Sequence, residues 1–263
     1  MNILDTIIAH KKKEVTIAKK NVSVEELMQN KFFSRPVFSL KRFLQDDSKT
    51  GIIAEFKRQS PSKGIINGTA DVAKVTTGYT LHGASCLSVL TDEYFFGGSA
   101  GDLQKARIND IPILRKDFMI DEYQLTEARA MGADVILLIA ACLTPERVRE
   151  LASFAKNLQL EVLLEIHDES ELEHICAQTE LVGVNNRNLK TFEVDINRSI
   201  ELSKKIPQGK IKIAESGIND VETICIFRRA GFNGFLMGEN FMKQPDPTIA
   251  FASFVEKLNA KVQ

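Results

Sequence analysis

Charge of one sign is what this chain most conspicuously lacks. Its 34 Lys and Arg against 35 Asp and Glu leave a formal net charge of -1, so no broad field draws it to nucleic acid or an anionic membrane, and any ligand must be recognised by a local site. Cysteine is sparse: Cys86, Cys142, Cys176 and Cys225 are far apart, form no Cys-x-x-Cys pair and sit in apolar surroundings. Reduced, packed thiols in a cytoplasmic protein are therefore expected. Histidine is scarcer in useful patterns. His167 and His174 lie seven apart with no ligand pair at shorter spacing, so no metal site is expected, and none of the four histidines has an evident partner role. Long hydrophobic runs are missing too. The longest, Val135 to Leu143, is about half of the ~20 residues that span a bilayer. Asp5 interrupts what would have to be a signal-peptide core. Neither a membrane span nor an export signal is expected.

What is present is ordinary in amount, 44% hydrophobic and 26% charged residues, and informative in arrangement. At 263 residues the chain can hold one large α/β domain or two small ones. From about residue 50 onward, short β-rich apolar runs alternate with amphipathic segments. The runs are Gly51 to Lys57, Ser85 to Thr91, Ile111 to Lys116, Asp134 to Ala140, Leu160 to Ile166, Leu181 to Asn185, Lys210 to Glu215 and Gly234 to Met237. Near-continuous apolar strands separated by helices imply a parallel sheet covered on its outer face, and eight such units fit a closed (β/α)8 barrel. An open doubly wound sheet is the alternative. Thr144-Pro145-Glu146 predicts a helix running to Asn157, and Gly132 and Gly231 stand just past two other helix ends.

Residues 1–48 lie outside the repeat. Ile3, Leu4, Ile7 and Ile8 followed by Lys11, Lys12 and Lys13 read as an amphipathic helix, with short helices at Val24 to Met28 and Val37 to Leu44. They are expected to cap the barrel as an N-terminal helical extension of one domain covering 1–263. The lysine clusters at 11–13 and 19–20 read as the solvated face of that helix.

The most telling stretch is Ile52-Ile53-Ala54-Glu55-Phe56-Lys57-Arg58-Gln59-Ser60-Pro61-Ser62. An apolar strand carries a carboxylate and an ammonium on one face, because residues two apart on a strand point the same way. Burying either ion alone would cost several kcal/mol, whereas the C-terminal mouth of a barrel can use both. Other strand ends repeat the pattern: Lys116 on the third, Glu165 on the fifth, Asn185 on the sixth, Glu215 and Ser216 on the seventh. Alternating ions in a dry mouth are what acid and base chemistry requires.

Three turns suggest a phosphate site: Ser60-Pro61-Ser62-Lys63-Gly64, Ser216-Gly217-Ile218 and Gly238-Glu239-Asn240. Glycines after the seventh and eighth strands let backbone N–H groups approach an anion; the Glu239 side chain is expected to turn away from it. Gly97-Gly98-Ser99-Ala100-Gly101 matches the nucleophile elbow of hydrolases. It is set aside, because residues 92–96 separate it from the preceding strand and it reads as a loop opening a helix. Phe95 and Phe96 could wall an aromatic substrate above the mouth.

These segments resemble the indole-3-glycerol-phosphate synthase family. The resemblance rests on Ile53 to Ser62, Leu90-Thr91-Asp92-Glu93 with Phe96-Gly97-Gly98-Ser99, Leu114-Arg115-Lys116-Asp117-Phe118, Leu164-Glu165-Ile166-His167-Asp168, Gly183 to Leu189, Ala214-Glu215-Ser216-Gly217-Ile218 and Leu236-Met237-Gly238-Glu239. It implies an α/β fold, a (β/α)8 TIM barrel with an N-terminal helical extension. It also implies a carboxy-lyase of tryptophan biosynthesis that needs no cofactor. The substrate would be a phosphosugar–anthranilate compound, 1-(2-carboxyphenylamino)-1-deoxyribulose 5-phosphate, and the product indole-3-glycerol phosphate.

By the same resemblance Lys116 is the general acid of ring closure, and the dehydration roles are shared among Lys57, Glu165 and Glu55. Asn185 and Glu215 bind sugar hydroxyls or orient the lysines, with Ser216 beside them. Arg187 holds the anthranilate carboxylate, and Phe96, Phe118 and Leu189 pack on the ring. Ser60, Gly217, Gly238 and Glu239 occupy phosphate-binding positions. Some members have Ser where Glu239 stands, which leaves the backbone contact there. A single-activity monomer with no fused isomerase is expected. Two other readings fit the residues: an aldolase-like barrel with Lys116 as a Schiff-base lysine, and a phosphate-ligand binding module without chemistry.

Overall fold

The structure, a computed structural model, describes residues 3–188 and 193–262. Eight strands carry the fold: β1 (Ile52–Phe56), β2 (Cys86–Leu90), β3 (Ile113–Lys116), β4 (Val135–Ile139), β5 (Glu161–Ile166), β6 (Leu181–Asn185), β7 (Ile211–Glu215) and β8 (Gly234–Met237). All eight neighbouring pairs are parallel, each strand lies beside its neighbours in the chain, and β1 pairs with both β2 and β8, closing the barrel. Each strand falls within the apolar run that anticipates it. The strands are buried on both faces, which is why they read as continuous hydrophobic runs.

Alternation along each strand divides the apolar residues into two sets. Ile53, Cys86, Leu114, Leu137, Leu163, Leu181, Ile213 and Leu236 pack inside the barrel, while Ile52, Ala54, Phe56, Leu87, Val89, Leu164, Val182 and Phe235 face the surrounding helices. Helix boundaries follow their caps. The Thr144 side chain accepts from Arg147 N (3.2 Å) and opens Pro145–Asn157, and Gly132, with φ 96°, closes Glu122–Met131 in the left-handed region.

The N-terminal extension holds helices α1 (Ile3–Asn21), α2 (Val24–Met28) and α3 (Leu40–Leu44). Leu40 and Leu44 of α3 join the interior cluster, plugging the N-terminal end of the barrel. The expected helix from Val37 begins instead at Leu40. Phe38 N donates to Asp134 Oδ1 (2.8 Å), and the Ser39 side chain caps Arg42 N (3.2 Å) while also donating to Glu161. Those contacts require extended backbone before Leu40.

One expectation about α1 is corrected. Lys12, Lys13, Lys19 and Lys20 are exposed as a solvated face should be, but Lys11 is buried. Its Nζ lies 2.8 Å from Asp92 Oδ2 and 2.9 Å from Asp117 Oδ1, and it also pairs with Glu14. The helix lies across the ends of β2 and β3, where buried carboxylates require a cation. Burial alone would pull the Lys11 ammonium down, but Asp117, Asp92 and Glu14 together raise it above its ordinary value.

Candidate active site

The same alternation that sorts the core builds the site. Two residues beyond inward-facing Ile53, Leu114, Leu163, Ile213 and Leu236 stand Glu55, Lys116, Glu165, Glu215 and Gly238. On β1, β3, β5 and β7 the mouth therefore continues the interior column and exchanges apolar for ionic side chains at the last layer, while the β8 column ends in a glycine. Together these residues line a cavity of about 560 Å³, a size that suits a small organic ligand.

Lys116 is the hub of the site. Its Nζ donates to Glu165 Oε2 at 3.1 Å and Glu215 Oε2 at 2.9 Å. Across the mouth Lys57 Nζ pairs with Glu55 Oε1 at 2.7 Å. Asn185 Nδ2 donates to Glu165 Oε1 at 2.9 Å, while Asn185 Oδ1 accepts from Arg187 N at 3.0 Å. The two lysines and three carboxylates do converge, each supplied by a different strand end except Glu55 and Lys57, which share β1 and its continuation.

Electrostatics distinguish the two carboxylates that share Lys116. Glu165 is pushed up by burial, yet Lys116, His167 and the Asn185 amide outweigh that and hold it well below the usual carboxylate range. Glu215 has Lys116 as its donor, and its buried Oε1 has no hydrogen-bond partner among the described residues. Burial, opposed by Lys116 and reinforced by Glu165 and Glu55, pushes Glu215 up to about 7. Lys116 itself would be pulled down by burial, but Glu165, Glu215 and Glu55 raise it above its ordinary value. It remains an ammonium at neutral pH.

Two glycines exist for this cluster. A Cβ on Gly183 would stand 2.0 Å from Glu215 Oε1, and a Cβ on Gly238 would stand 2.7 Å from Glu55 Cβ. Any side chain there would displace a mouth carboxylate.

One wall of the cavity is apolar. Phe96 and Phe118 face it with ring centroids 6.1 Å apart, and Ile3, Leu4 and Ile7 of α1 add to it. Phe95 points away and packs on His10 and Tyr94. The opposite wall holds Ser60, Ser216, Gly217, Gly238, Glu239 and Arg187. Ser60 is in a short hairpin, Gln59–Ser60 with Gly64–Ile65, that follows β1. Ser216 and Gly217 both have left-handed backbones, φ 67° and 71°, and Asn186 Nδ2 holds the Ser216 carbonyl at 2.7 Å. The Glu239 carboxylate lies 3.8 Å from Lys63 Nζ and 4.0 Å from Arg187 Nη2. Leu189 lies outside the described residues. Ser99 caps the helix Ala100–Ala106 by accepting from Asp102 N, so its hydroxyl is engaged as a helix start.

Sequence reasoning missed three contributors. His167 has a partner after all: its Nε2 lies 3.1 Å from Glu165 Oε1. The spacing Glu165-x-His167 could have revealed it, since residues two apart share a strand face. Asn186 and the α1 wall had no signal, because each depends on which loop or helix crosses the mouth. Among the described residues no group of three or more His, Cys, Asp or Glu could hold a metal ion, and no helix is long and apolar enough to cross a membrane.

Comparison with known proteins agrees with this geometry. The family described as indole-3-glycerol phosphate synthase matches residues 4–254. The chain is 48% identical over 258 residues to the indole-3-glycerol phosphate synthase of Bacteroides thetaiotaomicron, covering 98% of this chain and 99% of that protein. It is 43% identical to that of Bordetella pertussis, covering 97% and 99%. Among solved structures, KGPDC from Streptococcus mutans superposes with a TM-score of 0.61 at 12% identity, over 81% of this chain and 98% of that one. A chain of the tryptophan synthase complex of Pyrococcus furiosus gives 0.59 at 15% identity, over 80% and 98%. At such identity the last two speak for the barrel fold alone.

Proposed function

The chain belongs to the indole-3-glycerol phosphate synthase family, and from that premise we propose how its barrel mouth closes an indole ring. The substrate is 1-(2-carboxyphenylamino)-1-deoxyribulose 5-phosphate; the products are indole-3-glycerol phosphate, carbon dioxide and water. The observation that carries the reading is the placement of Lys116 Nζ between Glu165 and Glu215, 3.1 and 2.9 Å away, between an aromatic wall and a turn-rich wall.

Ring closure needs a weakly nucleophilic aromatic carbon to attack the sugar carbonyl. Lys116 polarises that oxygen and passes it a proton as the alkoxide forms, and the carboxylate on the attacking aromatic carbon then leaves as carbon dioxide, restoring aromaticity. An ammonium held this firmly gives up its proton only to a strong base, which a developing alkoxide is. Once it has done so, Glu165 and Glu215 lose their shared cation and become stronger bases. Glu165 then takes the proton released as the new ring becomes an indole, while Lys57, oriented by Glu55, protonates the departing hydroxyl. Asn185 and Glu215 orient Glu165 and Lys116. Phe96 and Phe118 hold the ring. Ser60, Gly217, Gly238 and the Glu239 backbone hold the phosphate, and Arg187 binds the anthranilate carboxylate after parting from the Glu239 side chain.

A raised Lys116 argues against the aldolase-like reading, since a Schiff-base lysine must be available as a free amine. The same proposal takes the chain as a cytoplasmic monomer, residues 1–48 working as the extension of one domain. Sedimentation showing a stable dimer would overturn that part. The direct test is to add the carboxyphenylamino-deoxyribulose phosphate to the purified protein and follow the fluorescent indole product. Steady turnover without added cofactor is expected. No turnover together with tight binding of a reduced substrate analogue would favour a binding module, and borohydride trapping of an adduct on Lys116 would favour the aldolase-like reading.

A further inference from the structure

We propose that His167 is a positioning residue of the reaction, a doubly ion-paired imidazolium that holds Glu165 as an oriented carboxylate and is itself held by Glu171. The inference rests on the reading of Glu165 as the base. Its support is geometric. His167 follows the end of β5 and is only 6% exposed. Its two ring nitrogens face two carboxylates: Nε2 lies 3.1 Å from Glu165 Oε1, and Nδ1 lies 3.4 Å from Glu171 Oε2. The same Glu171 oxygen accepts the His167 backbone N–H at 2.6 Å, so the carboxylate grips both the main chain and the ring. A carboxylate oxygen stands within ion-pair reach of each ring nitrogen, Nδ1 in hydrogen-bond contact with Glu171 and Nε2 beside Glu165 without hydrogen-bond alignment, so the pair of carboxylates favours the charged ring over the neutral one.

The turn carrying Glu171 is itself pinned. Asp168 caps the short helix Glu169–His174 by accepting from Ser170 N at 2.9 Å, and the His174 ring lies 3.1 Å from Glu171 O and 2.9 Å from Leu143 O. A chain of contacts thus runs from the mouth, Glu165 to His167 to Glu171, and ends on a capped turn outside the barrel.

The groups around His167 agree on its charge. Asp168 adds a third carboxylate nearby, Lys116 lies beyond Glu165, and from the turn Ala140–Cys142 the Cys142 thiol faces the same carboxylates and is raised by burial, Glu165 and Glu171. On the adjacent helix Pro145–Asn157, Arg147 is engaged by Glu122 and Glu150, and Arg149 by Glu146. Burial pulls the imidazole down, but Glu165 and Glu171 lift it to about 10. The consequence for the reaction lies in timing. When Lys116 transfers its proton, Glu165 loses its main counter-ion while its Oε1 keeps His167 and Asn185. The carboxylate stays aimed and does not swing toward Glu215.

The test combines kinetics with a titration. Removing the ring in His167→Ala is expected to lower kcat by about tenfold to 10^2-fold, the scale of a small misplacement of a reacting group, with KM within a few-fold. His167→Gln keeps a donor without the charge and should recover part of that loss. In both variants the acidic limb of kcat/KM should move to higher pH, because Glu165 loses a cation that favours its ionised form. In the wild type, NMR titration of histidine ring carbons should find one imidazole still protonated above pH 9, and Glu171→Gln should lower that value.

A wild-type His167 titrating near the ordinary value of about 6.5 would overturn the inference without any variant. So would His167→Ala with unchanged kcat and pH profile, or His167→Ala and His167→Gln losing activity equally at every pH. Full turnover by Glu165→Gln would instead remove the base role on which the inference rests, leaving the wild-type titration as found.

Discussion

Two lysines at the same end of the barrel, buried Lys11 and half-buried Lys116, are each surrounded by carboxylates, yet Asp117 in the first cluster and Glu215 in the second differ in how many donors they meet. Around Lys11, Asp117 also meets Arg115 Nη2 at 3.2 Å and accepts from Thr91 Oγ1 at 2.6 Å. Burial pushes Asp117 up, but Arg115, Lys11 and Thr91 together hold it below its ordinary range. Around Lys116, Glu215 meets that one cation among the described residues and shares it with Glu165, and one of its oxygens has no hydrogen-bond partner among them. Several donors hold Asp117 in one charge state, and Lys11 ties α1 to the ends of β2 and β3. A single donor leaves Glu215 close to changing charge, beside a cavity. Buried ions alone do not mark an active site; a shortage of counter-ions facing an open volume does.

The largest effect that would sharpen this contrast is on rate. Lys116→Ala should lower turnover by about 10^2 to 10^4-fold, the usual worth of a positioned acid, with the affinity for a phosphate-bearing product analogue changed only a few-fold because those contacts come from other strands. Near-normal turnover would remove the acid role from Lys116.

Lys11→Met should act on stability instead. Leaving Asp92 and Asp117 short of a cation is expected to cost about 3 kcal/mol in denaturant unfolding, while the folded fraction keeps kcat within tenfold. Loss of turnover with an unchanged unfolding midpoint would erase the distinction between the clusters.

Gly183→Ala probes the crowding that keeps Glu215 in place. A Cβ at 2.0 Å from Glu215 Oε1 must displace that carboxylate, with an expected cost of about 1 to 3 kcal/mol and a measurable fall in kcat. A variant as stable and active as the parent would mean that Glu215 can sit elsewhere without loss.

The smallest effect is the pH dependence of stability, and the clusters should differ in sign. Glu215 is raised to about 7 from an ordinary 4.5, so between those values the folded state binds more protons than the unfolded chain. Its contribution is present below about pH 4.5 and is lost as pH rises toward 7, with a slope of at most about 1.4 kcal/mol per pH unit. Glu215→Gln should remove that slope. Asp117 is lowered from 3.8, so its contribution is present above pH 3.8 and is lost as pH falls through its folded value. Unfolding curves collected from pH 3 to 8 on wild type, Glu215→Gln and Asp117→Asn would separate the two. Identical curves would contradict the difference in donor count.

Much of the site was legible before the fold was seen, because the periodicity of a strand fixes which residues share a face. Glu55 follows Ile53 by two, as Lys116 follows Leu114 and Glu165 follows Leu163, so once eight parallel strands close, these polar ends must meet at one mouth. Lys11 was misread for the complementary reason. A lysine run on an amphipathic helix looks solvated until another element presents carboxylates to it, and nothing within residues 3–21 indicates that Asp92 and Asp117 will be there. His167 was overlooked although its spacing from Glu165 was visible, since its second partner, Glu171, reaches it through a turn rather than along the strand.

By itself the sequence determined the number of strands, their inward and outward faces, the caps that end the helices and the set of ions at the strand ends, all of which follow from local periodicity and short-range hydrogen bonding. Only the tertiary structure decided how those ions share protons. Charge state in a buried cluster depends on burial and on the balance of donors and acceptors within a few ångströms, and that balance is set by segments far apart in the chain: α1 supplying Lys11 to Asp117, the turn after β5 supplying Glu171 to His167, and Gly183 leaving the space that Glu215 fills.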